Sequence, residues 1–246
     1  VISVEFIGRL GNQMFQYTIL RIVAKLKNYN YCIKDNWLGY NIFDSNMNYN
    51  KNFNTNKVYN GHGRYSEDVL KIDDNTLICG YFQNIEYFEN YYNDILEWFK
   101  IKDNINIDNF LNKYNINDYC YIHFRGTDYK EIPGFFLHKE YYEKAKNKIL
   151  NDYKNLKFLI ITDDIPTAKE YFSDDEILSN SMEIDFKLLN KAKYSIISNS
   201  TFSWWSRYLN NDKNSITIAP KGFFNYNTIK KPSFENLETN KFIWID

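Results

Sequence analysis

The 246-residue sequence predicts an α/β fold of two doubly wound domains, on three observations. Strand-like and helix-like segments alternate along the chain. The alternation is interrupted once, by a polar, Asn-rich joint over 101–118, and then resumes. In the second block the run 156–161 is apolar apart from Lys157, the pattern of a strand covered on both faces of a parallel sheet. The expected domains are 1–118, with the joint at its end, and 119–246. In such sheets ligands bind beyond the carboxyl ends of the strands.

The elements follow in order. A strand at 2–7 leads into a helix over 12–27, where Phe15, Ile19, Ile22 and Leu26 share one face. A second strand is read at 29–33. In 44–60, Asn46, Asn48, Asn50, Asn52, Asn54 and Asn56 alternate with other residues, and the stretch reads as a loop or insertion rather than a core element. A short strand at 77–82 and an aromatic-rich helix at 86–99 close the first block. The joint holds one short helix at 109–114. The second block reads strand 119–124, helix 139–150 with Tyr141, Ala145 and Ile149 aligned, strand 156–162, and helix 166–172 with Pro166 in its first turn. Helix 185–193, strand 194–198, helix 202–209 and strand 215–219 complete it.

Composition narrows the function. Lys and Arg total 30 against 31 Asp and Glu, a net charge of −1, which disfavours nucleic acid or an anionic bilayer as a partner bound through bulk charge. Mean hydropathy is −0.57, and no stretch approaches the roughly 20 apolar residues of a membrane span. Cys32, Cys79 and Cys120 are odd in number and widely spaced, so reduced thiols in a cytoplasmic protein are expected, not disulfides or a zinc site. The first seven residues read as a strand, not a signal peptide; because the chain starts at Val1, a removed N-terminal anchor and peripheral membrane attachment stay open. Only Arg9, Arg21, Arg64, Arg125 and Arg207 are arginine. In a lysine-rich chain, an arginine that survives is one whose planar fork is needed, which directs attention to Arg9 and Arg125.

Three segments carry chemistry. Gly8-Arg9-Leu10-Gly11-Asn12-Gln13 follows the first strand and opens a helix, where glycines permit a tight turn and helix-start amides favour an anion. The bland alternative is a βα turn capped by Asn12. His123-Phe124-Arg125-Gly126-Thr127-Asp128-Tyr129 ends the first strand of the second block; His123 and Arg125, two apart, point to one side, and arginine grips phosphate bidentately. Its alternative is a surface ion pair between Arg125 and Asp128. Asn199-Ser200-Thr201-Phe202-Ser203-Trp204-Trp205 sets hydroxyls at a helix N-terminus, an anion site without a metal, against simple capping by Asn199, Ser200 or Thr201. Trp204 and Trp205 read as core. Asp163-Asp164 reads as a cap for the next helix before it reads as a metal ligand, and Asp185 reads as a cap too. His62 and His138 lack partners at metal spacing.

Together these segments, with Met14-Phe15-Gln16-Tyr17, Gly80-Tyr81-Phe82-Gln83, Tyr87-Phe88, Thr162-Asp163-Asp164 and Ala219-Pro220-Lys221, resemble the GDP-fucose-dependent α-1,2-fucosyltransferases of glycosyltransferase family 11. The resemblance implies a GT-B fold, two Rossmann-like domains facing a cleft. It implies metal-independent, inverting transfer of L-fucose from GDP-fucose to a glycan acceptor, with no cofactor; the 2-hydroxyl of a terminal galactose is the expected acceptor position. It gives Arg125 the β-phosphate, places His123 near guanine or phosphate, and gives phosphate oxygens to Ser200, Thr201 and Ser203, flanked by Asn199 and Phe202. Gly8, Arg9, Gly11 and Asn12 would close on the diphosphate, and Asp185 would accept from guanine. The catalytic set so implied is Arg125, Asp128 and Asn12, with Asp128 or Glu131 as base. The family usually has two adjacent arginines where this chain has Arg125-Gly126, so a related transferase with another nucleotide sugar, or a non-catalytic nucleotide- or glycan-binding module, remains an alternative.

Overall fold

The computed structural model describes residues 1–44, 49–50, 52–61, 64–222 and 236–246. The chain divides into two compact units, Val1–Lys102 with Phe234–Leu237, and Asp103–Ser233 with Glu238–Asp246. The division falls after Lys102, where a boundary after 118 was expected. Packing explains the difference: Ile107 and Tyr114, from the segment read as a joint, are buried against Tyr121, Leu159, Ile161, Leu188 and Leu189 of the second unit.

In the first unit, β1 (Ile2–Val4), β2 (Tyr31–Cys32), β3 (Lys57–Asn60) and β4 (Thr76–Cys79) form one parallel sheet in the order β2-β1-β4-β3. Helix α1 (Leu10–Lys27) buries Phe15, Ile19 and Ile22 as its period predicts. Leu26 departs from that face and is 50% exposed. At 1.5 Å per residue the helix is about 27 Å long, whereas a three-residue strand covers only about 10 Å, so its last turn outruns the sheet. The chain then leaves through left-handed Asn28. Strand β3 corrects the reading of 44–60 as loop: Lys57 to Asn60 pair in parallel register with Thr76 to Cys79. Its side chains are exposed or half-buried, so no apolar alternation marks it. Asn46, Asn48 and His62 lie outside the described residues. The helix expected at 86–99 is broken into 3-10 turns at Ile85–Tyr87 and Glu89–Tyr91 followed by α2 (Tyr92–Trp98). Phe88 interrupts it, turning inward to pack 5.7 Å from the Phe15 ring.

In the second unit, β5 (Tyr119–Phe124), β6 (Lys157–Thr162), β7 (Glu176–Leu178), β8 (Tyr194–Ile196), β9 (Ile216–Pro220) and β10 (Ile243–Ile245) form a parallel sheet in the order β10-β9-β8-β5-β6-β7. Helices α3 (Asp108–Lys113), α4 (Lys139–Asp152), α5 (Ile165–Tyr171), α6 (Met182–Lys191) and α7 (Thr201–Tyr208) belong to this unit. Alternate residues of β5 serve opposite faces: Cys120, Ile122 and Phe124 pack with α4, and Tyr121 packs toward α6. The sequence reading lacks β7 and β10, the two edge strands, which are three residues long and partly solvated. Numbered within the unit, the strand order is 3-2-1-4-5-6 read from one edge, that of a doubly wound nucleotide-binding sheet. It reverses between β5 and β8. Trp204 and Trp205 are fully buried, as core, and the three cysteines are free. Among the described residues no helix is long and apolar enough to cross a membrane.

Candidate functional site

The second unit gathers three of the sequence-predicted segments at the carboxyl ends of β5, β6 and β8, around that reversal point. His123 is the penultimate residue of β5 and is 6% exposed. Its Nδ1 lies 2.9 Å from Ser198 Oγ at the end of β8, and its ring centroid 5.6 Å from that of Phe202. Burial holds its pKa well below the ordinary histidine value, against a smaller opposing pull from Asp163, so the imidazole is neutral.

Arg125 stands one residue past β5. Its Nη1 donates to Asp163, which follows β6, and its Nη2 donates to Asp128 at 2.6 Å. The Arg125–Asp128 ion pair expected as the bland alternative is therefore present, within a larger arrangement. The Tyr129 ring lies 5.4 Å from the guanidinium, and its hydroxyl donates to the Asn199 carbonyl at 3.2 Å. Asp163 also accepts from the Gly126 amide at 3.0 Å and the Thr127 hydroxyl at 2.7 Å. Of the Asp163-Asp164 pair only Asp164 caps a helix. It accepts from Thr167 N at the start of α5 and pairs with Lys130 at 2.6 Å. Thr127 and Tyr129 lie in a segment that the sequence singles out but have no role of their own in that reading, and Asp163, read as a cap before a metal ligand, is instead the carboxylate beside Arg125.

Helix α7 begins without a side-chain cap. Ser200 holds the N-cap position but bonds no amide through its hydroxyl, and the capping expected of Asn199, Ser200 or Thr201 does not occur. Asn199 is fully buried, and its Nδ2 donates to the Phe135 carbonyl at 2.8 Å instead. Its Oδ1 has no hydrogen-bond partner among the described residues. Ser203 is fully buried and donates its hydroxyl to the Ser200 carbonyl at 3.1 Å. Asp185 is not the cap of α6, a position held by Ser181. It lies one turn into the helix and reaches back to accept from the Asn180 amide and side chain at 3.3 and 2.8 Å. Burial raises its pKa to about 6. Among the described residues no group of three or more His, Cys, Asp or Glu side chains is placed to hold a metal ion.

In the first unit, Gly8 has φ +75°, a conformation that glycine adopts at no steric cost, and a Cβ there would meet Asn12 Nδ2 at 2.5 Å. Arg9 is exposed at the N-cap of α1, and Gly11 is buried in the first turn. Asn12 is not the cap; it lies inside the helix and accepts from Gln83 Nε2 at 2.8 Å. Gln16 fastens the turn by bonding both the amide and the carbonyl of Ile7, at 3.1 and 3.2 Å. These polar residues therefore shape the end of β1, and Gln83 brings in the end of neighbouring β4.

Comparison with known proteins places this arrangement. The family model described as Glycosyl transferase family 11 matches residues 1–244. An alpha-1,2-colitosyltransferase of Escherichia coli is 32% identical over 177 residues, which is 66% of this chain and 58% of the relative. The O-antigen biosynthesis glycosyltransferase WbnK of Escherichia coli is 28% identical over 186 residues, 68% of this chain and 61% of the relative. The chain thus spans about three fifths of the length of these relatives. The crystal structure of POFUT1 in complex with GDP superposes with a TM-score of 0.55 at 11% identity, covering 89% of this chain and 97% of that one, a likeness of fold. With two parallel-sheet domains of the GT-B type and a family match over nearly its whole length, the chain belongs to glycosyl transferase family 11.

Proposed function

We propose that the protein is an inverting transferase that moves L-fucose from GDP-fucose to a hydroxyl of a glycan acceptor, the 2-hydroxyl of a terminal galactose, without a metal or other cofactor. The observation that carries this reading is the Arg125 guanidinium past the end of β5, with the α7 N-terminus that lacks a side-chain cap following neighbouring β8. Breaking a nucleotide–sugar bond builds negative charge on the departing diphosphate. Fixed donors aimed at that charge stabilise the transition state more than the ground state. Arg125 and the first-turn amides of Thr201, Phe202 and Ser203 are such donors. The Ser203 hydroxyl is committed to Ser200, so its contribution is through its amide. Neutral, buried His123 is a wall and hydrogen-bonding group here, not a second cation. Asp185, with its pKa near 6, is a ready acceptor for guanine N–H groups. Diphosphate leaves readily, and Asp128 or Glu131 serves as base for the acceptor hydroxyl.

A second reading has a specific observation behind it: the relative named an alpha-1,2-colitosyltransferase favours a colitosyl donor in place of a fucosyl one, with the same 1,2 linkage. Calorimetric titration with GDP, UDP and GDP-fucose, with and without Mg²⁺, tests both. Metal-independent binding of GDP over UDP, weakened by Asp185→Asn, is expected. Preference for UDP refutes the nucleotide assignment. GDP binding without fucose transfer by wild type, while Arg125→Ala loses GDP, favours the second donor.

A further inference from the structure

We infer that Asp163 is a positioning residue that holds the Arg125 fork, and that Asp128 is an exchangeable carboxylate whose place the anionic donor takes. This rests on the proposed nucleotide-sugar reading of the same site.

Among the described contacts, both outer nitrogens of the one guanidinium are already engaged by carboxylates. A diphosphate approaching it is repelled unless a carboxylate gives way. The two carboxylates are not equivalent. Asp163 follows β6, which pairs with β5 over its whole length, so its backbone and that of Arg125 are held by the same ladder. Its Oδ1 accepts from the Gly126 amide at 3.0 Å, and its Oδ2 takes the Thr127 hydroxyl at 2.7 Å as well as Arg125. Moving Asp163 would leave that amide and hydroxyl without their acceptor. Asp128 is carried on a 3-10 turn, Thr127–Glu131. Its side chain is 42% exposed against 29% for Asp163, so its release into water costs less.

The two carboxylates also use different nitrogens. Asp163 takes Nη1 and Asp128 takes Nη2. Release of Asp128 therefore frees Nη2 for a phosphate oxygen while Nη1 stays anchored, and the fork keeps its orientation. The Thr127 hydroxyl, 3.2 Å from Asp128 and 2.7 Å from Asp163, then donates wholly to Asp163. The same exchange unmasks Asp128 as a base only once the anion is in place, which orders donor before acceptor.

The test is binding of GDP and of inorganic pyrophosphate by wild type and by Asp128→Asn, Asp163→Asn and Asp163→Glu, with thermal melting to verify folding. Asp128→Asn is expected to tighten both ligands about three- to tenfold, since it removes the competitor. Asp163→Asn is expected to weaken both about tenfold or more, and Asp163→Glu, which keeps the charge, to recover part of that loss. A structural role alone would weaken binding in every variant in proportion to its melting temperature, and simple charge repulsion would tighten it in both Asn variants. Either result overturns the inference. Pyrophosphate binding without GDP binding overturns the nucleotide reading, and the sign of the Asp128→Asn effect still judges the exchange. GDP binding that Asp128→Asn weakens overturns the exchange and leaves the nucleotide reading standing.

Discussion

Gly126→Ala is the sharpest test of how the Arg125 turn is built. A Cβ at Gly126 would lie 2.4 Å from Asp164 Cβ, 2.5 Å from its Oδ2 and 2.8 Å from its Cγ. Carbon atoms pack at roughly 3.5–4.0 Å, so about 1 Å of movement is required. Asp164 resists it: it caps α5 through Thr167 N, accepts the Thr167 hydroxyl at 2.8 Å, and pairs with Lys130. Forced overpacking costs about 1–3 kcal/mol. If Asp164 swings away, the lost cap costs about 1 kcal/mol. The Lys130 pair adds little, because that lysine is exposed and solvent-screened. Asp164 either stays and is overpacked or swings away and gives up its cap, so the expected destabilisation of the second unit is about 1–3 kcal/mol, read from its urea transition. The control is Asp164→Gly, which removes the obstructing atoms and, at a cap position, is itself mild. In that background Gly126→Ala should cost under about 1 kcal/mol. Equal cost in both backgrounds, or less than about 0.5 kcal/mol in wild type, would refute the reasoning.

Two further outcomes follow from buried polar groups. Arg207 is 1% exposed and donates from Nη1 to the carbonyls of Leu189, Asn190 and Ala192 at the end of α6. Arg207→Met removes a buried charged donor from all three acceptors, while Asn210 Nδ2 still reaches the Asn190 and Ala192 carbonyls and the Ala192 amide still reaches that of Leu189; the expected cost is about 1–3 kcal/mol in all, read as a lower urea midpoint of the second unit, and an unchanged midpoint would refute it. His123 has a folded pKa depressed by burial, so the unfolded chain binds its proton first as pH falls. Its contribution to stability is whole above the unfolded pKa of about 6.5 and is lost below it at up to about 1.4 kcal/mol per pH unit. Between pH 7 and 5, wild type should lose about 2 kcal/mol more than His123→Asn, and identical losses would mean that His123 is not held neutral.

Much of this was legible in the sequence, and the exceptions have physical causes. Strands β5, β6, β8 and β9 announce themselves because a buried parallel strand is apolar throughout. Strands β3, β7 and β10 do not, because each lies at a sheet edge and is partly solvated. Phe88 breaks a well-patterned helix because a tertiary contact with Phe15 outweighs local propensity. The scarcity of arginine was informative beyond the positions it first singled out. Arg125 uses its fork on two carboxylates, Arg207 donates from Nη1 to three carbonyls and from Nε to Thr217, and Arg21 lies 4.7 Å from the Trp98 ring and 4.9 Å from the Tyr31 ring. Arg9 alone among these four is exposed at a helix start.

What no linear reading supplies is the neighbourhood of Arg125. Asp163 is 38 residues away from it in sequence, and Ser198 is 75 from His123. They meet because β6 lies on one side of β5 and β8 on the other. That single feature of strand order brings a cation from the first strand, its carboxylate holder from the second and a helix start from the fourth to the same edge of the sheet. A capping aspartate and a phosphate-site aspartate then look alike as adjacent letters, and only the sheet separates them: Asp164 turns toward α5, Asp163 toward Arg125. The one arginine that remains is thereby oriented by a carboxylate rather than reinforced by a second cation. On this argument the strength of anion binding depends on how readily Asp128 yields, as much as on the charge of Arg125 itself.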